Sequence, residues 1–286
     1  MSVLMLTLLA SWGIYALLGI GIVLVYRTSR ILNIAGGEMA IFIAYLVAVL
    51  IEDGVPFSAA VPLGIVASMA LGFIVFWTMI RRIMGEPPYV GLMMTVGLGT
   101  IFNGLMIVLF GGGMLAVPTG LAGFIQLDSM RLPSAEIVAA VGAWLAIMVI
   151  LLLYRATNLG LQMRAVAEKV TLSAHRGVNV DRTVALSWVF GVTAFGMAGV
   201  LHGERAYVAL SASVIGINAL IASLIGGMDS LKGVIIAAFI VAVAENLTAL
   251  YLDPRYVLVA PVMMLFVILI IRPWGLFGTV EEFKRV

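Results

Sequence analysis

Residues Leu4–Tyr26, LMLTLLASWGIYALLGIGIVLVY, carry no charged side chain. A helix rises about 1.5 Å per residue, so about 20 apolar residues reach across a hydrocarbon core roughly 30 Å thick. This run is long enough. Barrel strands would alternate apolar and polar positions, whereas this run is continuously apolar. In lipid the backbone must satisfy its own hydrogen bonds, and a helix does so within one segment. No basic residue precedes the run and no small-residue cleavage site follows it, so we expect a retained helix and not a signal peptide.

The same reading repeats outward along the chain. Further apolar runs are Met39–Ile51, Phe57–Ile80, Val90–Phe110, Ile137–Tyr154, Thr183–Leu201, Val208–Ile225, Val234–Ala249 and Tyr256–Ile271. Met39–Ile51 and Val234–Ala249 are short for a crossing. Ser211, Ser213, Gly216 and Asn218 interrupt Val208–Ile225, which is therefore expected to be broken or re-entrant. The expected fold is all-α: a polytopic transmembrane helical protein of eight to nine spans, with residues 1–286 as one domain. A composition 63% hydrophobic and 10% charged leaves no room for a separate soluble domain. The absence of cysteine excludes disulfides and thiolate metal sites. A net charge of +2 is no nucleic-acid footprint.

Orientation follows from the basic residues of short loops. Nine spans threaded with the N-terminus outside place Arg27, Arg30, Arg81, Arg82, Arg155, Arg164, Lys169, Arg176, Arg182, Lys232, Arg272, Lys284 and Arg285 in the cytoplasm. Only Arg131, Arg205 and Arg255 then lie outside, 13 against 3. The expected C-terminus is cytoplasmic, beyond a helix ended by Pro273 and anchored by Arg272 and Trp274.

The polar stretch Arg155–Arg182 interrupts this pattern. Leu159, Met163, Val166, Val170 and Ala174 recur every three or four residues, so a helix of about fifteen residues would carry one apolar stripe. Gly177 is placed to end it, and Asp181 to cap the following span. Such a stripe faces either a groove in another subunit or anionic lipid. The physics of the segment leaves both open.

The remaining polar groups each admit two readings. Glu38, after the glycine pair Gly36-Gly37, either pairs at the interface with Arg27 or Arg30 or serves gating. Glu245-Asn246 lies within a span, where a carboxylate is costly, and is a pathway group or one that reaches water. His202, Glu204 and Arg205 read as a solvated rim and do not make a metal site. Asp229 and Lys232 read as a surface pair across a tight turn. Gly191, Gly196 and Gly199 place small residues at helical spacing, letting helices pack closely. No P-loop pattern, catalytic triad or paired-carboxylate site is present, so neither an enzyme nor a cofactor is expected.

Four elements, in order along nearly the whole chain, resemble the permeases of branched-chain amino-acid ABC importers, the Liv type. The first is Leu32-Asn33-Ile34-Ala35-Gly36-Gly37-Glu38, with Gly36 where many members have histidine. The second joins Met163-Arg164-Ala165-Val166-Ala167 and Ala174–Arg182 to the glycine-rich run Gly191–Leu201. The third, Gly226-Gly227-Met228-Asp229-Ser230-Leu231-Lys232-Gly233, is close to the family's GGxGSxxG, although Asp229 and Lys232 are less usual. The fourth, Arg272–Gly278, resembles its RPxGLFG ending. The chain is most similar to the shorter of the family's two permease types. The resemblance implies a bacterial inner-membrane permease with cytoplasmic ABC ATPases, a second paralogous permease chain and an extracytoplasmic substrate-binding protein as partners. It also implies that Met163, Arg164, Ala167, Val170 and Gly177 form the segment that couples to the ATPase. Asn33, Glu38, Glu245 and Asn246 stand as pathway or gating candidates, and the implied cargo is branched-chain or other hydrophobic amino acids. Urea, short amides or aromatic acids on the same machinery, or an ion-coupled carrier built around Glu245, are the alternatives.

Overall fold

A computed structural model describes residues 2–121, 123–127 and 130–278; Lys284 and Arg285 of the charge count lie outside the described residues. The elements in order are α1 (Ser2–Ser29), α2 (Gly36–Glu52) and α3 (Phe57–Val75), which continues through a π-turn at Phe76–Ile80 into α4 (Arg81–Ile83). Then come α5 (Pro88–Phe110), strands β1 (Phe124–Leu127) and β2 (Met130–Pro133), α6 (Ser134–Ala156), α7 (Asn158–Glu168) and α8 (Val170–His175). The chain continues with α9 (Val180–Arg205), a 3-10 turn at Leu210–Ser213, α10 (Val214–Gly226), α11 (Leu231–Tyr251) and α12 (Val259–Ile271).

Local chemistry sets several boundaries. Pro88 opens α5, where its missing N–H costs nothing, and Gly111 closes it with a left-handed φ of 73°. Ser230 caps α11 by accepting from the Gly233 N–H at 3.1 Å. Each apolar run of the sequence is helical over most of its length. Six helices are long and apolar enough to cross a membrane: those within Val3–Ser29, Phe57–Ile83, Pro88–Phe110, Ser134–Ala156, Val180–Arg205 and Leu231–Tyr251. Leu210–Gly226 and Val259–Ile271 are shorter, and α2 has 17 residues. The break expected in Val208–Ile225 is present as the 3-10 turn ahead of the 13-residue α10.

Helices α1 and α9 form the centre. The most apolar window of α1 is 83% buried and that of α9 72%, against 28% for α5. α9 packs on α1, α2, α3 and α6, and α1 also packs on α6, α10 and α11. Lipid-soluble helices have little hydrophobic drive to associate with one another, so close backbone approach must supply the contact. At Gly199 that approach is extreme: a Cβ there would lie 2.0 Å from the Ala40 carbonyl oxygen of α2. Gly199→Val is therefore expected to destabilise the bundle by about 3 kcal/mol, toward the upper end of overpacking costs. The readout is a lowered unfolding midpoint in detergent.

Two local expectations are corrected. The cap of α9 is Asn179, whose side chain accepts from the Arg182 N–H at 3.0 Å; Asp181 instead pairs with Arg81 of α4 at 3.1 Å. Asn179 is also a good capping residue and stands closer to the turn. The hairpin β1–β2, antiparallel with Ile125 opposite Leu132, was not anticipated, since short polar-flanked strands give little periodic signal.

Candidate functional site

The polar stretch folds as a corner. Thr157 caps α7 by accepting from the Gly160 N–H at 3.2 Å. A Cβ at Gly160 would lie 2.0 Å from the Tyr154 carbonyl oxygen, so the tight return from α6 into α7 requires glycine there. Arg164 donates to that same carbonyl oxygen and lies over the Tyr154 ring at 5.4 Å. Arg30, at the end of α1, donates to the Ala167 carbonyl at 3.5 Å. The corner is thus tied to both α6 and α1.

The expected single stripe divides in two. Met163 and Val166 are 3% and 1% exposed and pack into the protein's own core, so Met163 presents no surface to a partner. The chain breaks from helical geometry at Lys169 (φ −149°, ψ 105°), and α8 sets off in a new direction until Gly177, with φ +82°, ends the segment. Val170 is 45% exposed and Leu172 52%, so α8 presents apolar side chains outward, as α7 does at Leu161. The fifteen-residue helix of the sequence reading is two shorter ones, divided by the extended backbone at Lys169.

A second constellation lies toward the opposite end of the bundle. Tyr15 of α1 donates to the Glu245 carboxylate of α11 and accepts from the Asn218 amide of α10 at 3.2 Å. On the same face of α1, one turn away, Ser11 accepts from Arg205 of α9 at 3.1 Å. Arg205 also donates to one Glu136 carboxylate oxygen of α6 at 3.2 Å, with its Nε 2.8 Å from the other as an ion pair, and reaches the Thr7 carbonyl. The side chains of Arg205 and Glu136 are only 14% and 17% exposed, which corrects the reading of Arg205 as part of a solvated rim. Glu204 accepts from the Thr119 hydroxyl at 2.9 Å. Among the described residues no cluster suited to a metal ion is found.

The other candidates stand apart. Asn246 bonds back to Ala242 of its own helix at 2.8 Å. Asn33 is buried, its amide 3.9 Å from the Met39 sulfur. Glu38 faces α5: a Cβ at Gly99 would lie 3.5 Å from its carboxyl carbon, and no ion pair joins it to Arg27 or Arg30 among the described residues. Sequence reasoning missed Tyr15 and Glu136 and took Asn218 only as an interruption; a tyrosine and an asparagine inside apolar runs were the available signal.

Two of the four sequence elements meet directly, and the first packs where α10 begins. A Cβ at Gly37 would lie 2.2 Å from the Ser213 carbonyl oxygen, where the start of α2 meets α10. The Gly226–Gly233 turn receives the tail, as Leu276 N–H donates to Ile225 O at 2.7 Å and Phe277 N–H to Gly226 O at 3.1 Å. Gly227 and Gly275 make this possible with φ of +99° and +77°.

A bundle of apolar helices, with a polar cluster toward one end and an amphipathic corner at its basic end, describes a multi-pass membrane protein. The chain belongs to the family "Branched-chain amino acid transport system / permease component", whose model matches residues 4–270. This is a family of transport permeases and not of enzymes. The chain is 27% identical to "High-affinity branched-chain amino acid transport system permease protein LivH" of Escherichia coli (strain K12), covering 94% of this chain and 93% of the relative. It is 26% identical to the corresponding BraD protein of Pseudomonas aeruginosa, again over 94% and 93%. Among solved structures, "PsaBC from Streptococcus pneumoniae in complex with Fab" shares the fold with a TM-score of 0.52 and 12% identity, over 93% of this chain and 91% of that one.

Proposed function

We propose that the chain is the permease subunit of an ATP-driven importer in the bacterial inner membrane, moving branched-chain or other hydrophobic amino acids inward by alternating access. The family match over residues 4–270 carries this reading. The basic end, with the corner α7–α8, faces the cytoplasm, where an ABC ATPase docks on Val170 and Leu172. The anchors of Arg164 and Arg30 pass its movement to α6 and α1. ATP acts only through a difference in free energy between outward- and inward-open states. A second permease chain and an extracytoplasmic binding protein complete the machine.

The Tyr15–Glu245–Asn218 contact joins α1, α10 and α11 and serves gating. It is also the observation that favours a second reading, a carrier coupled to an ion gradient through Glu245. The two separate in proteoliposomes containing the chain with its ATPase and binding protein. Leucine uptake is expected to need ATP and to persist without any ion gradient. Glu245→Gln is expected to slow ATP-driven uptake about tenfold at most, through loss of one charge-assisted hydrogen bond of roughly 1.5 kcal/mol. Uptake that runs on a gradient without ATP, and that Glu245→Gln abolishes, would establish the carrier instead.

A further inference from the structure

A cleft at the basic end of the bundle is unused by the reading above. Its lining brings together Arg27, Arg155 and Lys232, with Asp229 the sole carboxylate among the described lining residues. Arg27 stands in the last turn of α1 and Arg155 in the last turn of α6, while Lys232 stands at the start of α11. Three apolar helices thus begin or end at this level, where hydrocarbon gives way to headgroups. Arg27 lies 5.9 Å from the Tyr154 ring, a contact that positions the guanidinium while consuming none of its N–H donors. Among the described residues no ion pair joins any of the three cations to a carboxylate. Leu151 and Ile235 line the cleft as well, giving it an apolar wall beside the charges.

From this arrangement we infer that the cleft binds a phosphate-bearing anion, and that its source is the phosphodiester headgroup of an anionic phospholipid. Three converging cations match a phosphate, and arginine forks suit its oxygens. The apolar wall argues for a lipid over a free ion, because a free phosphate makes no use of Leu151 and Ile235. Basic pockets between membrane helices are a known form of headgroup recognition. Because Tyr154 lines the cleft and its carbonyl holds Arg164, an occupied cleft would brace the corner that leads into α7.

The test uses the full chain, delipidated in mild detergent and titrated with phosphatidylglycerol, phosphatidylcholine or inorganic phosphate, with binding read by native mass spectrometry. Phosphatidylglycerol is expected to bind and phosphatidylcholine not. Arg155 and Lys232 are exposed, so Arg155→Gln with Lys232→Gln leaves the packing untouched. This double variant should bind about thirtyfold more weakly, given about a factor of five per surface cation. The charge-conserving pair Arg155→Lys with Lys232→Arg should restore binding. Equal binding by wild type and the glutamine variant, or equal binding of the two lipids, would overturn the site. Displacement of phosphatidylglycerol by inorganic phosphate would uphold the phosphate chemistry and overturn the lipid as its source.

Discussion

Val170→Asp is expected to release the ATPase from the purified complex while leaving the permease inserted and folded. Val170 is 45% exposed and belongs to the outer face of α8, so the protein's own packing does not depend on it. Docked in a partner's groove, a valine contributes about 1.5 kcal/mol or more through burial. A carboxylate in its place loses that term and adds the cost of desolvating a charge with no partner, so retention should fall by more than a hundredfold. Val166→Asp provides the contrast. Val166 is 1% exposed and lies in the core, so the charge there should cost the permease itself, seen as lost detergent-stable protein. Co-purification of both variants with the ATPase, beside their unfolding midpoints, reads the two effects separately. Full ATPase retention by a folded Val170→Asp would place the docking surface elsewhere.

The contrast between two neighbouring valines shows where sequence reading reached and where it stopped. Apolar runs long enough to cross lipid announce themselves, and each one is helical over most of its length, down to the broken Val208–Ile225. The stripe Leu159–Ala174 was legible as amphipathic, but a stripe does not say which of its residues the protein keeps for itself. Met163 and Val166 are claimed by the core and Val170 is not, and that division depends on where α1, α6 and α9 sit. Polar contacts across the bundle were similarly hidden: Tyr15 is separated from Glu245 by 230 residues and Glu136 from Arg205 by 69. Glu245 stood out because a carboxylate in an apolar run is costly, whereas its partner Tyr15 was masked as an aromatic residue in one. Gly37 and Gly216 were visible as small residues, yet only the structure pairs them with each other.

Arg205→Met should be among the most destabilising single substitutions in the chain, and Arg205→Met combined with Glu136→Met should be far milder. The Arg205–Glu136 pair, with one hydrogen bond and a second nitrogen–oxygen approach of 2.8 Å, is mostly removed from solvent, at 14% and 17% side-chain exposure. Deleting one partner strands the other charge, and breaking such a pair costs about 3–5 kcal/mol. That is a large share of the roughly 5–15 kcal/mol that holds an ordinary domain together. Replacing both residues leaves no stranded charge, and two flexible apolar side chains of similar length refill the space. Unfolding midpoints of Arg205→Met, Glu136→Met and the double variant in detergent measure this directly, and a double variant whose loss equals the sum of the two single losses would show that the pair contributes nothing as a pair. Uptake then separates fold from function. Methionine at position 205 cannot hold Ser11 or the Thr7 carbonyl, the contacts through which α9 grips α1. Those contacts sit one turn from Tyr15, whose hydroxyl joins α1 to α10 and α11. A double variant that regains stability but transports slowly would mean that Arg205 sets the position of α1 during the cycle; one that regains both would confine the pair to holding the bundle together.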